Sequence, residues 1–112
     1  MGKAERERGK RGEREWASVL RSAGFDDARR GVQYSGKGGN ADVYCPSLSG
    51  FWPEVKRVNK LNHSLALKQA QRDASCDQIA YVASRRDGED WICTLSGSDF
   101  IKLMKAYVED AQ

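Results

Sequence analysis

The order in which helix-like and strand-like patterns follow one another most constrains the fold of this chain. Apolar residues recur at helical spacing within 12–23 and again from about Ser98 onwards, and Ser64 is a predicted N-cap for a helix that runs to about Ala74. Strand-like segments occupy the intervals between these helices, at 25–34, 40–45, 51–58, 79–84 and 91–95. The order α-β-β-β-α-β-β-α predicts an α/β fold in which helices flank a mixed central β-sheet.

One domain is predicted, because 112 residues suffice for a single layered core and not for two. Residues 1–11 are polar and basic, and we expect them to form a flexible arm before a single domain at 12–112. The segment 46–50 has turn composition, so the strands at 40–45 and 51–58 are predicted to pair as a hairpin.

Charge is spread unevenly along the chain. The net charge of +3 is weak support for a nucleic-acid partner by itself. Residues 54–72, however, hold five basic side chains against Glu54 alone. Such a segment favours contact with phosphate, and a solvated charged surface explains it about equally well.

Cysteine usage and hydropathy indicate where the protein works. Cys45, Cys76 and Cys93 are an odd number at wide spacing, which fits neither a disulfide framework nor a zinc site. We expect reduced, packed thiols. The N-terminal region has no apolar stretch, and no segment approaches the ~20 apolar residues of a membrane span. The prediction is a soluble, cytoplasmic protein with no membrane partner.

Two short motifs carry the candidate chemistry, Ala41-Asp42-Val43 and Glu54-Val55-Lys56. Glu54 and Lys56 are two residues apart and point to the same face of a strand, and the predicted hairpin brings Asp42 to that face. Two carboxylates suit Mg²⁺, which prefers oxygen ligands. A lysine beside the cation can orient or deprotonate water and offset charge on the transition state. The alternative is a cross-strand salt bridge on a solvated surface.

Glu13 is a further candidate, because it lies on the apolar stripe of the first helix. A carboxylate that faces the sheet needs a partner, since burying it unpaired is costly. A metal site would supply that partner. Alternatively, Glu13 merely favours the helix dipole from the first turn.

Taken in order, these residues resemble the archaeal-type Holliday junction resolvases of the PD-(D/E)XK nuclease superfamily. The resemblance covers residues 10 to about 75 and implies a restriction-endonuclease-like fold. It is carried by Glu13-Arg14-Glu15, an apolar helix, Gly24-Phe25, Arg29-Arg30, a Gly/Ser-rich loop, Asp42 and Glu54-Val55-Lys56. It implies that Glu13, Asp42 and Glu54 bind metal and that Lys56 is the catalytic lysine. Ala41 stands where the family motif has proline, and the C-terminal third does not match closely.

The resemblance also implies contacts with DNA. Arg14 and Arg29 match arginines that contact the DNA backbone, and Ser35 falls in the loop that the family uses near the scissile strand. Lys60 and Lys68 are candidates for plain phosphate contacts. Gln69 is either a site residue on the helix after the motif or an exposed helix residue. The predicted DNA-binding residues are Arg14, Arg29, Arg30, Ser35, Lys37, Lys60 and Lys68.

The function predicted from these features is a Mg²⁺-dependent, structure-selective DNA endonuclease, with Mn²⁺ as a substitute metal. The specific form is a Holliday junction resolvase that acts as a homodimer on branched DNA, with the C-terminal elements at the dimer interface. Two alternatives stay open. One is a PD-(D/E)XK nuclease for restriction, repair or phage DNA processing, and the other is a non-catalytic DNA-binding module with an ion-pair network.

Overall fold

The computed structural model describes residues 2–31 and 41–111. The described elements follow the predicted order, with one short 3₁₀-helix at Pro46–Leu48 added between the second and third strands. They are α1 Lys3–Ser22, β1 Arg29–Arg30, β2 Val43–Tyr44, β3 Phe51–Lys56, α2 His63–Asp73, β4 Ile79–Ser84, β5 Ile92–Thr94 and α3 Gly97–Ala111. The predicted α/β class is therefore confirmed.

A mixed sheet of the described strands β3, β4 and β5, in that order, forms the centre of the fold. β3 and β4 are parallel, with Phe51 opposite Ile79 and Lys56 opposite Ser84, and α2 makes the crossover that a parallel pair requires. β5 is antiparallel to β4. Separately, β1 and β2 form an antiparallel pair.

The predicted hairpin between β2 and β3 is wrong, because β2 pairs with β1 instead. Pro53 contributes to the difference. Backbone N–H groups of alternate strand residues point to the same edge of a strand. Residue 53 therefore faces the same edge as the Val55 N–H, and a partner strand on that edge would need an N–H from residue 53. Proline has none, which weakens a backbone ladder on the edge of β3 that faces away from β4. We call this edge the outer edge of β3.

The two faces of the β3–β4 pair are covered by different helices. On one face, apolar side chains of α1 pack with those of β3 and β4, and the buried members of this core are Trp16, Ala17, Leu20, Ala28, Val43, Val55 and Ala83. On the other face, Ala66 and Ala70 of α2 pack with Ala80 and Val82. None of the α3 residues, all of which are described, is buried, so α3 does not flank the sheet as predicted.

Close approach of α1 to β3 depends on Gly12. A Cβ built at this buried position would lie 2.6 Å from the Cβ of Arg57. Any larger residue would push the helix away from the strand, and the helix carries Glu13 next to this contact. Gly12 therefore sets the distance between α1 and the site at the outer edge of β3.

Helix boundaries differ from the sequence prediction in two places. α1 begins at Lys3, so the expected flexible arm is helical over 3–11. Its Glu, Arg, Lys and Ala residues have high helix propensity, and Glu7 and Lys10 form an i,i+3 ion pair at 4.0 Å. α2 begins at His63, and its N-cap is Asn62, whose side chain accepts the Leu65 N–H at 3.0 Å. The predicted N-cap, Ser64, lies inside the helix.

The three cysteines are free, as predicted. The expectation that all are packed is wrong, because only Cys45 is half-buried while Cys76 and Cys93 are exposed. Among the helices of the described ranges, none combines the length and apolar character needed to span a bilayer.

Candidate active site

Asp42 lies at the outer edge of β3 and is held there by a backbone contact. Its Oδ2 accepts the N–H of Val55 at 2.8 Å, so a carboxylate takes the place that a carbonyl would occupy in a strand ladder. Asp42 immediately precedes β2, whose pairing with β1 fixes the direction of the chain at this point. The side chain is thereby anchored next to residue 54.

Glu54 and Lys56 lie on one face of β3, as strand alternation predicts. The Lys56 Nζ is 3.4 Å from Glu54 Oε2. The Glu54 side chain is only 10% exposed, whereas that of Lys56 is 30% exposed. The lysine therefore keeps access to solvent beside a carboxylate that has almost none.

Glu13 projects from α1 and meets an arginine that was predicted to contact DNA. Its Oε1 accepts a hydrogen bond from the Arg30 Nε at 2.9 Å. The half-buried carboxylate thus has an arginine partner, without any need for a metal to provide one. In this structure Arg30 is engaged with Glu13.

The carboxylates of Glu13, Asp42 and Glu54 influence one another's ionisation. Burial raises the pKa of Glu13, Asp42 and Glu54 above their ordinary values. The negative charge of Asp42 further raises the pKa of both Glu13 and Glu54. Lys56 and Arg30 act in the opposite direction but do not cancel the effect. The cluster is therefore a partly desolvated concentration of like charge.

Asp73 also acts on the carboxylates of this site, and the sequence analysis did not identify it. Burial is the main cause of the raised pKa values of Asp42 and Glu54, and the charge of Asp73 adds to both. Asp73 ends α2, four residues after the half-buried Gln69. Residues at i and i+4 share a helix face, so the prediction of Gln69 at the site contained the signal that identifies Asp73.

The donor chemistry fits a hard divalent cation. Mg²⁺ commonly uses one or two carboxylates and keeps several waters. Asp42 and Glu54 present carboxylates of this kind at one edge. Within residues 2–31 and 41–111, no group of three or more His, Cys, Asp or Glu side chains is arranged to hold a metal ion.

Of the other predicted DNA-binding residues, Arg14 lies on α1, Arg29 on β1, Lys60 between β3 and α2, and Lys68 on α2. Arg14 is exposed on α1, and its charge acts on Glu13. The Arg29 guanidinium lies over the Tyr44 ring, 5.3 Å from its centroid. Lys60 and Lys68 are exposed. Ser35 and Lys37 lie outside the described residues.

Arg57 is the basic residue whose role differs most from expectation. Its side chain is 8% exposed, with Nε 3.1 Å from Glu15 Oε1 and one terminal nitrogen 2.6 Å from Asp87 Oδ1. Asn59 also donates to Asp87, at 3.0 Å. These contacts connect α1, the end of β3 and the turn after β4. Arg57 is therefore a structural residue, and the surface available to phosphate is less basic than the segment's charge suggested.

A cavity of about 850 Å³ adjoins the cluster on the β1–β2 side. Arg29, Arg30, Tyr44, Phe51 and Trp52 are among its lining residues. The Trp52 Nε1 is buried and has no hydrogen-bond partner in the described part of the chain. This side of the molecule therefore combines aromatic surface with two arginines next to the carboxylates.

Comparison with protein-family models gave no match, and comparisons with curated proteins and with solved structures gave none either. The class that fold and site define is thus a mixed α/β domain with an acidic cluster and a lysine at one sheet edge.

Proposed function

We propose that this protein is a metal-dependent DNA endonuclease with its reaction centre at Asp42, Glu54 and Lys56. One observation carries the proposal. Asp42 Oδ2 accepts the N–H of Val55, the residue after Glu54; burial and the Asp42 charge raise the Glu54 pKa, and Lys56 Nζ lies 3.4 Å from Glu54 Oε2. Clustering like charges in a partly desolvated place costs stability, and groups with perturbed pKa values concentrate at functional sites. A bound divalent cation would relieve the repulsion.

Hydrolysis of a phosphodiester bond needs a positioned water and compensation for charge on the phosphate. Mg²⁺, or Mn²⁺ in its place, supplies that positive charge when bound. Asp42 and Glu54 would hold the ion, and Glu13 would complete the anionic side of the site. The Lys56 ammonium would orient the attacking water and offset negative charge that develops on the phosphate oxygens. Arg30 would keep Glu13 in place through its hydrogen bond at 2.9 Å.

DNA would approach the exposed basic residues around this edge. Arg14 and Arg29 are exposed there, and phosphate contacts of this kind position DNA without reading its sequence. Lys60 and Lys68 would add further phosphate contacts. Gln69 would face the same side of α2 as Asp73, near the cluster. The proposed Ser35 contact rests on the resemblance, and Lys37 is proposed as a basic residue of the same loop sequence.

The narrower proposal, a restriction-endonuclease-like Holliday junction resolvase, also rests on the resemblance. A four-way junction has two symmetric scissile strands, so this function requires two sites in one particle. Nuclease activity in restriction, repair or phage DNA processing has no such requirement. We propose for each of these nuclease roles that the protein acts on DNA in the cytoplasm.

A second candidate is a non-catalytic DNA-binding module. Two observations favour it, namely the Arg30–Glu13 pair at 2.9 Å and the Lys56–Glu54 pair at 3.4 Å. In this interpretation the carboxylates neutralise basic side chains within the fold. Such a module would bind DNA equally well with and without a divalent ion.

One experiment separates these functions. Labelled four-way junction and linear duplex are incubated with the protein in Mg²⁺, in Mn²⁺ and in EDTA. Cleavage that requires the divalent ion supports the nuclease, and preference for the junction supports the resolvase. Binding without cleavage under every condition would replace the nuclease with the binding module.

A further inference from the structure

Arg29 and Tyr44 form an exposed pair of a cation and an aromatic ring on the β1–β2 strands, where they are partners in the antiparallel register. Their neighbours turn towards α1, because Val43 belongs to the α1 core and Arg30 bonds to Glu13. Successive residues of a strand point to opposite faces, so Arg29 and Tyr44 face away from α1. The Arg29 guanidinium lies over the Tyr44 ring, yet Tyr44 remains 53% exposed. We call this pair the stacking platform.

The positive charge of the stacking platform is available to a ligand. Within residues 2–31 and 41–111, no carboxylate forms an ion pair with Arg29. Its neighbour Arg30, in contrast, is paired with Glu13. A guanidinium can stack on an aromatic ring and still present N–H donors to a phosphate. The platform therefore suits a ligand that combines a flat ring with a negative charge.

The cavity of about 850 Å³ gives such a ligand room. Arg29 and Tyr44 line it together with Phe51 and Trp52, so aromatic side chains of two segments border one space. Its volume is in the range of clefts that bind small organic groups. The buried Trp52 Nε1–H has no acceptor in the described part of the chain, and a ligand with an acceptor would supply one. Nucleobases are flat and carry oxygen and nitrogen acceptors.

The stacking platform also lies close to the proposed reaction centre. Asp42 is two residues before Tyr44, so their Cα atoms are no more than about 7 Å apart. Arg30, which borders the same cavity, holds Glu13. A DNA strand that places a phosphate at Asp42 would therefore bring the base of an adjoining nucleotide to Tyr44.

We propose that the stacking platform binds an unpaired nucleobase next to the phosphate that is cleaved. The position of this base beside a cleaved phosphate rests on the proposed nuclease function. In an intact duplex each base is stacked and paired, and extruding it costs free energy. A gap, a flap or an opened branch point presents an unpaired base without that cost. The preferred substrate class is therefore DNA with a single-stranded segment at the cleavage site.

Binding of single-stranded DNA in EDTA tests the platform without any cleavage. Fluorescence anisotropy gives the Kd of a labelled oligothymidylate, and Tyr44→Ala should raise it at least about fivefold, the lower end for loss of one base stack. Tyr44→Phe keeps the ring and should bind like wild type. Tyr107→Ala, at a 77% exposed tyrosine of α3, is the matched control and should also bind like wild type. Circular dichroism and thermal unfolding should show all three variants folded.

Two results of this experiment would overturn the proposal. One is an equal Kd for wild type and Tyr44→Ala, which would show that the ring takes no part in binding. The other is an equal loss of affinity in Tyr44→Phe and Tyr44→Ala, which would assign the effect to the hydroxyl group and not to stacking.

Cleavage in Mg²⁺ tests the position of the base. Wild type should cut a gapped duplex next to the gap, with a higher kcat/KM than for the intact duplex. Tyr44→Ala should bring the ratio of these two values towards one. A ratio that Tyr44→Ala leaves unchanged would place the bound base away from the reaction centre. If the protein cuts no DNA, the nuclease function fails, while the Kd values in EDTA still decide whether the platform binds unpaired bases.

Discussion

The Asp42 carboxylate accepts the Val55 backbone N–H at 2.8 Å, at the strand edge where Pro53 has no N–H to offer. One side chain therefore does two things: it attaches the β1–β2 pair to the outer edge of β3, and it brings a carboxylate beside Glu54. The Asp42 side chain thus contributes both a negative charge to the site and a hydrogen bond to the fold, and a substitution that tests the site has to keep the hydrogen bond. An informative substitution at Asp42 removes the negative charge and keeps an oxygen that accepts the Val55 N–H.

Asp42→Asn meets that condition. The asparagine oxygen can still accept the Val55 N–H, so unfolding free energy should change by no more than about 1 kcal/mol. Loss of a charge that holds the cation should abolish cleavage of DNA in Mg²⁺ while binding in EDTA persists. Asp77→Asn, at an exposed aspartate, is the matched control. Cleavage at the wild-type rate by Asp42→Asn would show that the reaction centre lies elsewhere.

Glu13→Gln should lower the cleavage rate strongly and leave the protein folded. The amide oxygen keeps an acceptor for Arg30, whose Nε lies 2.9 Å from Glu13 Oε1, but the negative charge is gone. Single-turnover cleavage and thermal unfolding would be measured together. An unchanged rate, or a large fall in Tm, would assign Glu13 a purely structural role.

Divalent ions should stabilise the protein above the pH at which the cluster ionises. Burial raises the pKa values of Asp42 and Glu54, so the folded state holds protons that the unfolded state has released. Stability is therefore expected to fall as pH rises from the ordinary carboxyl value through the raised one. At neutral pH, Mg²⁺ at 100 times its Kd should restore about 2.7 kcal/mol. Thermal unfolding with Mg²⁺ and with EDTA measures this, and an identical Tm for wild type in both would argue against a metal site.

Asp87 should show the opposite pH dependence. The hydrogen bond from Asn59, then that from Arg57, lowers the Asp87 pKa to about 2. Its contribution to stability is present above the ordinary value of 3.8 and is lost as pH falls from there towards 2. Asp87→Asn should therefore be less stable than wild type at pH 7 and match it near pH 2. Urea unfolding at both pH values gives the comparison, and a difference that persists unchanged at pH 2 would contradict this assignment.

Salt should weaken DNA binding steeply, because each phosphate that a lysine neutralises releases counterions. Replacing both Lys60 and Lys68 with alanine should flatten the dependence of log K on log salt, by a slope of about 0.9 for each phosphate that is no longer neutralised. Affinity for every DNA should fall alike. Binding isotherms from 50 to 200 mM salt (roughly the range in which such slopes are resolved) give the measurement. An unaltered slope would place the DNA on another face.

Local sequence determined a large part of this protein. The strand Ile79–Ser84 has the predicted bounds, Gly24 ends the first helix with a φ of 108°, and Glu54 and Lys56 share a strand face. Each of these depends on short-range rules, namely side-chain alternation, helical periodicity and the conformational freedom of glycine at positive φ. The same rules placed Asp42 and Glu13 among the candidate site residues and predicted the helix that begins near Ser98.

Pairing between distant segments was decided only in the tertiary structure. Sequence neighbours suggested a β2–β3 hairpin, but β2 pairs with β1, and Asp42, which precedes β2, bonds to the Val55 N–H of β3 through its side chain. Arg30 and Arg57 are basic residues by sequence alone, yet Glu13 lies 2.9 Å from the first, and two carboxylates enclose the second. Asp73 reaches the cluster through the packing of α2 on the sheet. Charge and hydrophobicity are properties of each residue, whereas the partner that satisfies them depends on which distant segments pack together, and local patterns do not encode that choice.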